Sequence, residues 1–326
     1  MTPRYSLEQI TLSGTPRAMG QAHGEALRDR IQAFVDVRFA AVAQYVADRG
    51  QGSIDGLLAI AAESRRISAA WHPEGVAEAD GIAEGAGVDP VRLYAATNMT
   101  DMRDVLLLAG DPQAQTPPGD AEGCSSVMIP GARTATGHAL VGQTWDLNPT
   151  DVDFIVGFHR KPAEGPETWG ITCVGCLTLV AMNSHGVTVG TTNIKTWGAR
   201  PGVGYLNLLH RAAHAPDAET AARWITDAPR AGAHTYWLAD AAAQIELEAA
   251  PTRVVRRDTA NGPVWRTNHC IDPQILAMQG EEPTPSTYHR FARIGALVDR
   301  QGFDEQALYS VFADRADGHL SVNRYH

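Results

Sequence analysis

Cysteine is scarce in this chain: Cys124, Cys173, Cys176 and Cys270 are the only four in 326 residues. That is too few to staple a fold of this size, so an apolar core and not a disulfide framework must hold it. Long hydrophobic runs are missing as well. No apolar stretch reaches the ~18 residues of a membrane span, so no membrane partner is expected. Positive charge is short: 27 Lys+Arg stand against 37 Asp+Glu, a net charge of -10. With no Lys/Arg-rich run, that balance argues against nucleic acid as a partner. There is no internal repeat and no low-complexity tract. The opening Met1-Thr2-Pro3-Arg4-Tyr5 carries no apolar signal core, which predicts a cytoplasmic protein. What remains is ordinary for a globular chain, with 44% hydrophobic and 20% charged residues and length for one large core or two domains.

The patterning changes near the middle. After a first strand over 5–12, helical spacing of apolar residues predicts helices over 16–48, 54–71, 74–86 and 90–108. Pro16 suits a first helical turn, and Asp89-Pro90 is a start signal. From Cys124 onward the chain alternates. Strands are predicted over 125–129, 139–144, 154–159, 169–174, 177–182 and 187–192, the last two joined by the turn Asn183-Ser184-His185-Gly186. Helices follow over 204–213 and 218–226, strands over 235–239, 244–249, 252–256 and 264–267, and helices over 286–300 and 304–312. Strand-rich blocks flanked by helical blocks predict a layered sandwich with largely antiparallel sheets.

The change of character falls at Gly123-Cys124. A polar, turn-rich stretch from 110 to 122 precedes it, and β-type runs follow. Cleavage of that bond would make Cys124 a new N-terminus with a thiol and an α-amine on one residue, a nucleophile with its own base. Taken alone, Cys124 reads as a small buried hydrophobe at least as well, but its flanks favour the chemical reading, because a glycine tolerates the kinked backbone such a cleavage needs. Asp146, ending the strand 22 residues on, could reach back to the strand start and orient the amine or thiol, or merely cap a turn. Asn193 and Asn268 each end a predicted strand and offer donors for an oxyanion, or are turn residues. Ser286 reads as a helix N-cap. Arg290 and Arg293 share a helix face, either solvated or with Arg290 holding a carboxylate such as Asp146.

In this order the set resembles one family: Gly123-Cys124, Trp145-Asp146, Asn183-Ser184-His185-Gly186, Thr267-Asn268-His269, then Ser286 with Arg290 and Arg293. It is similar to the acyl-coenzyme A:6-aminopenicillanic acid acyltransferase family of the N-terminal nucleophile hydrolases. The opening Gly14-Thr15-Pro16-Arg17-Ala18-Met19-Gly20-Gln21-Ala22-His23-Gly24 resembles that family's N-terminal segment. The resemblance implies an α+β, four-layer αββα sandwich made as an inactive precursor. Autocleavage at Gly123-Cys124 would yield a mostly helical α part, 1–123, and a β part, 124–326. The two would stay one folded unit, an α/β heterodimer free to form a homo-oligomer. It implies Cys124 as nucleophile with its freed amine as base, Asp146 as orienting group, and Asn268 with Asn193 as oxyanion donors. Arg290 is the implied supporting cation, and no metal or cofactor is called for. Related bile-salt and penicillin V hydrolases carry an arginine where Gln143 stands, which weakens any inference toward their substrates.

The implied activity is a cysteine amidohydrolase or acyltransferase working through a Cys124 thioester. Its substrate would be a small N-acyl compound or peptide, or an acyl donor such as acyl-CoA. An α-amine near 7.7–8.0 and a thiol near 8.5 exchange a proton almost evenly, which suits the task. Three other readings compete. One is an uncut Cys-His amidase with His269 or His185 as base. A second is a catalytically silent binding protein of the same fold. The third is a zinc site built from Cys173-Val174-Gly175-Cys176 with Cys270 and a histidine. Trp145, Phe154, Trp197, Tyr205 and Trp237 are candidates for an acyl pocket or for core packing.

Overall fold

The computed structural model describes residues 7–110, 123–147 and 149–324. The first strand, β1, is Gln9–Gly14; positions 5 and 6 of its predicted range, and the stretch 111–122, lie outside the described residues. The helical half then runs α1 Pro16–Ala26, α2 Arg28–Arg49, α3 Ile54–Trp71, α4 Pro73–Ala86, α5 Pro90–Thr97 and α6 Met99–Leu107. Two predicted helices are thus each broken in two. Leu27 and Asn98 leave helical geometry, with ψ of 22° and 30°, and both side chains are buried. The start signals work as read, with Pro16 opening α1 and the Asp89 carboxylate accepting from Val91 N and Arg92 N; the Thr15 hydroxyl, not foreseen, caps α1 by accepting from Ala18 N.

One contact explains the glycines of the opening segment. Gly20 and Gly24 of α1 lie against Gly81 and Gly85 of α4. A Cβ on Gly20 would stand 2.0 Å from the Glu78 carbonyl oxygen, and one on Gly81 would stand 2.3 Å from that of Arg17. Only glycine lets the two backbones touch.

The second half supplies the sheets. Strands β2 Gly123–Ile129, β3 Leu140–Asp146 and β11 Val264–Arg266 form a three-stranded sheet in the order β11-β2-β3. An eight-stranded sheet has the order β1-β4-β5-β6-β7-β8-β9-β10. Its later strands are β4 Ile155–Pro162, β5 Thr168–Cys173, β6 Val180–Asn183, β7 Thr188–Asn193, β8 His234–Ala239, β9 Gln244–Ala249 and β10 Val254–Asp258. Every pairing is antiparallel except β1 with β4. The helices α7 Tyr205–Ala212 and α8 Ala218–Asp227 pack with α1 on the outer face of the large sheet. The helices α10 Pro285–Val298 and α11 Glu305–Phe312 pack on the small one, and β2 lies over β7. The layers therefore run helix, sheet, sheet, helix: the αββα sandwich of the α+β class that the sequence predicted. A short helix, α9 Pro273–Leu276, was not predicted.

The asymmetry of the sheets matters most for the site. Three strands cannot cover eight, so the inner face of β4, β5 and β6 extends beyond β3. The cysteines separate in the same framework. Cys173 and Cys176 sit in the main core, whereas Cys270 packs with Ile194, Ala233, Ala250 and Ile275 in a different cluster. Among the described residues no group of three or more His, Cys, Asp or Glu is placed to hold a metal ion.

Candidate active site

The small sheet delivers the centre of the site. Strand β2 begins at Gly123, and its register sets Gly123 opposite Asp146 and Cys124 opposite Trp145 of β3. Asn268 follows β11, the other neighbour of β2. Its carboxamide oxygen accepts from Cys124 N at 2.8 Å and from Arg290 Nη2 at 2.9 Å, and its Nδ2 donates to the Asn193 carbonyl oxygen at 2.9 Å. Four of the five residues predicted to act together are therefore joined by hydrogen bonds. The fifth, Asp146, ends β3 beside Gly123.

Arg290 crosses from α10 into this group. Its Nη1 donates to the Cys124 carbonyl oxygen at 2.5 Å and to Ser125 Oγ at 2.8 Å, and its Nε donates to Ser286 Oγ at 3.3 Å. It is fully buried. Burial, the largest influence, pulls its pKa down to about 10 against the opposing pull of Asp146, so it remains a cation at neutral pH. The carboxylate partner expected for it belongs to another arginine: Arg324 Nη2 donates to Asp146 Oδ2 at 2.5 Å. Arg324 Nη1 also donates to Ser286 Oγ at 3.2 Å. Ser286 is thus a hydroxyl acceptor shared by two guanidinium groups and not the N-cap, a position Thr284 occupies. Arg293 points away and pairs with Asp314.

Gly123 is confined by these charges. A Cβ there would lie 2.6 Å from Arg324 Nη2, 2.9 Å from Arg290 Nη2 and 2.9 Å from Asp146 Oδ2. Any side chain before Cys124 would have to push the ends of these charged groups aside, a reason invisible in the sequence.

Other groups keep Asn268 in place. Its backbone N donates to Thr287 Oγ1 at 2.7 Å. Just upstream, Arg266 is buried between Glu246 and Glu248, and Glu248 also accepts from Ile271 N and Asp272 N. A fully paired buried cation on one side and two captured backbone amides on the other fix the turn that carries Asn268.

A cavity of about 60 Å³ opens at Cys124, lined by Gly123, Gln143, Trp145, Asp146, Leu179, Thr191, Asn193, Asn268, Thr100, Tyr205 and His234. The last-named groups bring the helical part into the site, because His234 Nε2 is bonded to Asp101 Oδ1 of α6 at 2.8 Å. Gln143 does not reach out as a cation would: its Oε1 accepts from Thr191 N at 3.0 Å and Trp237 Nε1 at 2.6 Å. Next to this cavity, and sharing Gln143, Trp145 and Leu179 with it, lies an apolar groove of about 530 Å³. Its floor is the inner face of β4–β6 left bare by the small sheet. Trp169, Ile171 and Met182 are 41%, 44% and 48% exposed there, on neighbouring rungs of β5 and β6. Of the five aromatics singled out in the sequence, Trp145, Tyr205 and Trp237 line these two spaces. Phe154 and Trp197 pack in the core.

The two candidate base histidines are placed differently. His269 Nδ1 lies 3.2 Å and 3.1 Å from the hydroxyls of Thr267 and Thr287, and its ring packs on Tyr288 and Phe291. Burial first, then Arg266 and Arg290, push its pKa down to about 4. His185 belongs to the β6–β7 turn, at the far end of β7 from Asn193, roughly 20 Å along the strand at ~3.3 Å per residue. Sequence reasoning missed Arg324, Asp101 and His234; none sits in a motif, and Asp101 and His234 lie 133 residues apart.

Comparison with known proteins returns three kinds of likeness. The family model described as acyl-coenzyme A:6-aminopenicillanic acid acyl-transferase matches residues 133–326. The 40 kDa form of acyl-coenzyme A:6-aminopenicillanic-acid-acyltransferase from Emericella nidulans is 25% identical over 321 residues, covering 97% of this chain and 84% of that protein. Among solved structures, penicillin V acylase from Agrobacterium tumefaciens shares 12% identity at a TM-score of 0.35, over 61% of this chain and 66% of that one. This chain therefore spans just under two thirds of the acylase. A variant of conjugated bile acid hydrolase from Clostridium perfringens shares 8% identity at a TM-score of 0.35, over 60% of this chain and 71% of that one. Superpositions at that score bear on neither site nor substrate.

Proposed function

This chain belongs to the acyl-coenzyme A:6-aminopenicillanic acid acyl-transferase family, and we propose that it is a self-processing cysteine amidase of small N-acyl compounds. The observation that carries the proposal is the setting of Cys124 N. It is bound at 2.8 Å to a carboxamide oxygen that Arg290 also holds. In the intact chain that nitrogen is an amide. After scission of Gly123-Cys124 the same Oδ1 receives an N–H of the new α-amine, so the base is oriented before it exists.

The chemistry follows from these positions. In maturation the Cys124 thiol attacks the Gly123 carbonyl carbon, the C–N bond breaks, and the acyl group passes to sulfur. Water then hydrolyses the thioester, leaving a carboxylate on Gly123 and a free amine on Cys124. In turnover the amine takes the thiol proton, and sulfur attacks the substrate amide carbonyl. An Nδ2 carries two hydrogens. One of those on Asn268 is engaged by Asn193 O, which leaves the other for the oxyanion. The amine proton passes to the leaving nitrogen, and water or a second amine resolves the thioester. Resolution by an amine would make the reaction acyl transfer, for which an acyl-CoA is one donor. Asp146, held by Arg324, is the orienting carboxylate beside the amine. The position of His269 and its depressed pKa disfavour the uncut Cys-His alternative.

The apolar groove beside the cavity supports an apolar acyl group. Acid quench during turnover of an N-hexanoyl amide should leave hexanoyl mass on the peptide that begins at Cys124, and none in Cys124→Ala. A hexanoyl group trapped on a different residue, or turnover that persists in Cys124→Ala, would refute the Cys124 thioester.

A further inference from the structure

The small sheet ends in an open edge beside the candidate nucleophile. Among the described residues β3 pairs with β2 alone, and no backbone bond from another element reaches Leu140–Asp146. Two other sheet edges are guarded. Strand β10 carries Arg256 and Arg257, paired with Glu219 and Glu246. Strand β11 lies against α10, where Trp265 Nε1 donates to the Phe291 carbonyl oxygen at 3.0 Å. Strand β3 has no proline and no charge before Asp146, and every one of its residues keeps some exposure. A long uncharged edge is a template for pairing with another chain.

The register fixes which backbone groups are free. Cys124 N and O are bonded to Asn268 and Arg290, on the side of β2 away from β3. Ser125 N points the other way, to Thr144 Oγ1 of β3 at 3.2 Å. In an antiparallel pair, opposed residues alternate between bonding each other and not. Trp145, opposite Cys124, is therefore an unbonded partner, and so are Gln143 and Val141, opposite Ser126 and Met128. Their N–H and C=O groups point out of the open edge, along about 13 Å of strand at ~3.3 Å per residue. The floor beneath repeats at a matching interval. Ile171 pairs with Val180, and Trp169 with Met182, on rungs ~6.7 Å apart, which is also the spacing of same-face side chains in an extended peptide. Edge and floor line one groove, and Gln143 and Trp145 continue it into the Cys124 cavity.

We propose that the open edge of β3 is a strand-addition site, and that the acyl part of the substrate is an extended peptidyl chain. It would lie beside β3 as a fourth strand of the small sheet. Its backbone would bond Val141, Gln143 and Trp145, and its alternate side chains would rest on Ile171, Trp169 and Met182. An alkyl chain could use the floor but would leave the edge unpaired, whereas a peptide backbone satisfies both. The direction follows from the site. Strand β3 runs toward Cys124 and ends at Asp146, and a peptidyl chain also ends there, at its scissile carbonyl. The added strand is therefore parallel to β3. The substrate class narrows to peptides and peptide-like amides whose acyl part is itself a chain of amides. The inference rests on the proposed reaction at Cys124.

The test uses the wild-type chain and N-acetyl-tetra-alanine 4-nitroanilide. Three analogues each carry one N-methyl group, on the second, third or fourth residue counted back from the scissile carbonyl. A methyl group on a nitrogen that faces β3 removes a hydrogen bond and adds bulk at the edge; on a nitrogen that faces away it does neither. Turnover is read as kcat/KM, and the matching free acids are titrated by calorimetry for Kd. Methylation at positions of one parity should weaken both at least about tenfold, and at the other parity by less than about threefold. The third-residue analogue must therefore differ from both of its neighbours. An equal loss at all three positions, or no loss at any, would overturn the proposal. Turnover of hexanoyl 4-nitroanilide, with neither binding nor turnover of the tetra-alanyl compounds, would overturn it and leave the amidase reading intact. Alternation in Kd with no turnover of any amide would sink the amidase reading and leave strand addition standing.

Discussion

Replacing Arg290 with methionine tests how tightly the charge cluster is tied to the chemistry. The side chain is buried and donates to Cys124 O, Ser125 Oγ and Asn268 Oδ1 at 2.5–2.9 Å. Methionine keeps much of the bulk but strands these acceptors, which by analogy with breaking buried charge pairs costs about 3–5 kcal/mol. The unfolding entropy of a chain this long is about 0.7 kcal/mol per kelvin, so the melting temperature should fall by roughly 4–7 °C. The second effect is electrostatic. Cys124 N and Arg290 Nη2 both bind Asn268 Oδ1, at 2.8 Å and 2.9 Å, so they are at most 5.7 Å apart (2.8 + 2.9). At an effective dielectric of about 20, a unit charge at that distance disfavours an ammonium by about 3 kcal/mol, less what Asp146 offsets. Among the described residues the site sets Arg290 and Arg324 against Asp146, and that balance favours the neutral, basic amine. Losing Arg290 should therefore move the acid limb of kcat/KM upward by about one pH unit or more in the fraction that has cleaved. The assays are thermal melting and a kcat/KM pH profile. A melting point within 1 °C of wild type, or an acid limb that stays put or moves down, would refute the reasoning.

Three further outcomes follow from the same geometry. Gly123→Ala should cleave at least tenfold more slowly by intact mass, because its Cβ would press on Arg324, Arg290 and Asp146; cleavage at the wild-type rate would remove the steric argument. For N-acyl substrates of increasing length, kcat/KM should rise about fourfold per buried methylene, and Met182→Glu should flatten that rise without altering the N-acetyl compound. An unaltered rise in Met182→Glu would place the acyl group elsewhere. Burial, the largest cause, raises the Asp104 pKa to about 8. The folded state thus prefers the protonated acid, and its contribution is full below the unfolded value near 3.8 and lost as pH rises toward 8. Asp104→Asn, which cannot ionise, should raise the melting temperature more at pH 8.5 than at pH 5; the reverse order would contradict the burial argument.

Much of the fold was legible because its signals are local. The helix predicted over 54–71 is α3, Ile54–Trp71, to the residue, framed by the Ser53 cap and the change to His72-Pro73. The breaks at Leu27 and Asn98 were not legible, since both segments keep helical periodicity across them and the kinks answer to packing against other elements. The predicted strand over 177–182 shortened to Val180–Asn183. There the Asn183 carboxamide closes the turn by accepting from His185 N and Val187 N, as its sequence signature implied. At the site, Cys124, Asn193 and Asn268 could be singled out because they lie at strand ends, and Arg290 because it shares a helix face with Arg293 and follows them in the family's motif order. The partner of Asp146 could not be found that way. Arg324 lies 178 residues from Asp146, outside any regular element, and only the folded chain brings it to the carboxylate. The groove was hidden for a similar reason, because it comes from the unequal widths of two sheets and not from any one segment.

The most direct test of the central claim is a denaturing intact-mass spectrum of the wild-type chain beside Cys124→Ala. The account predicts two wild-type species, residues 1–123 and 124–326, and a single uncut species for the variant. A wild-type chain that turns over N-acyl amides at full length, or a Cys124→Ala chain that is cut at the same bond, would contradict it.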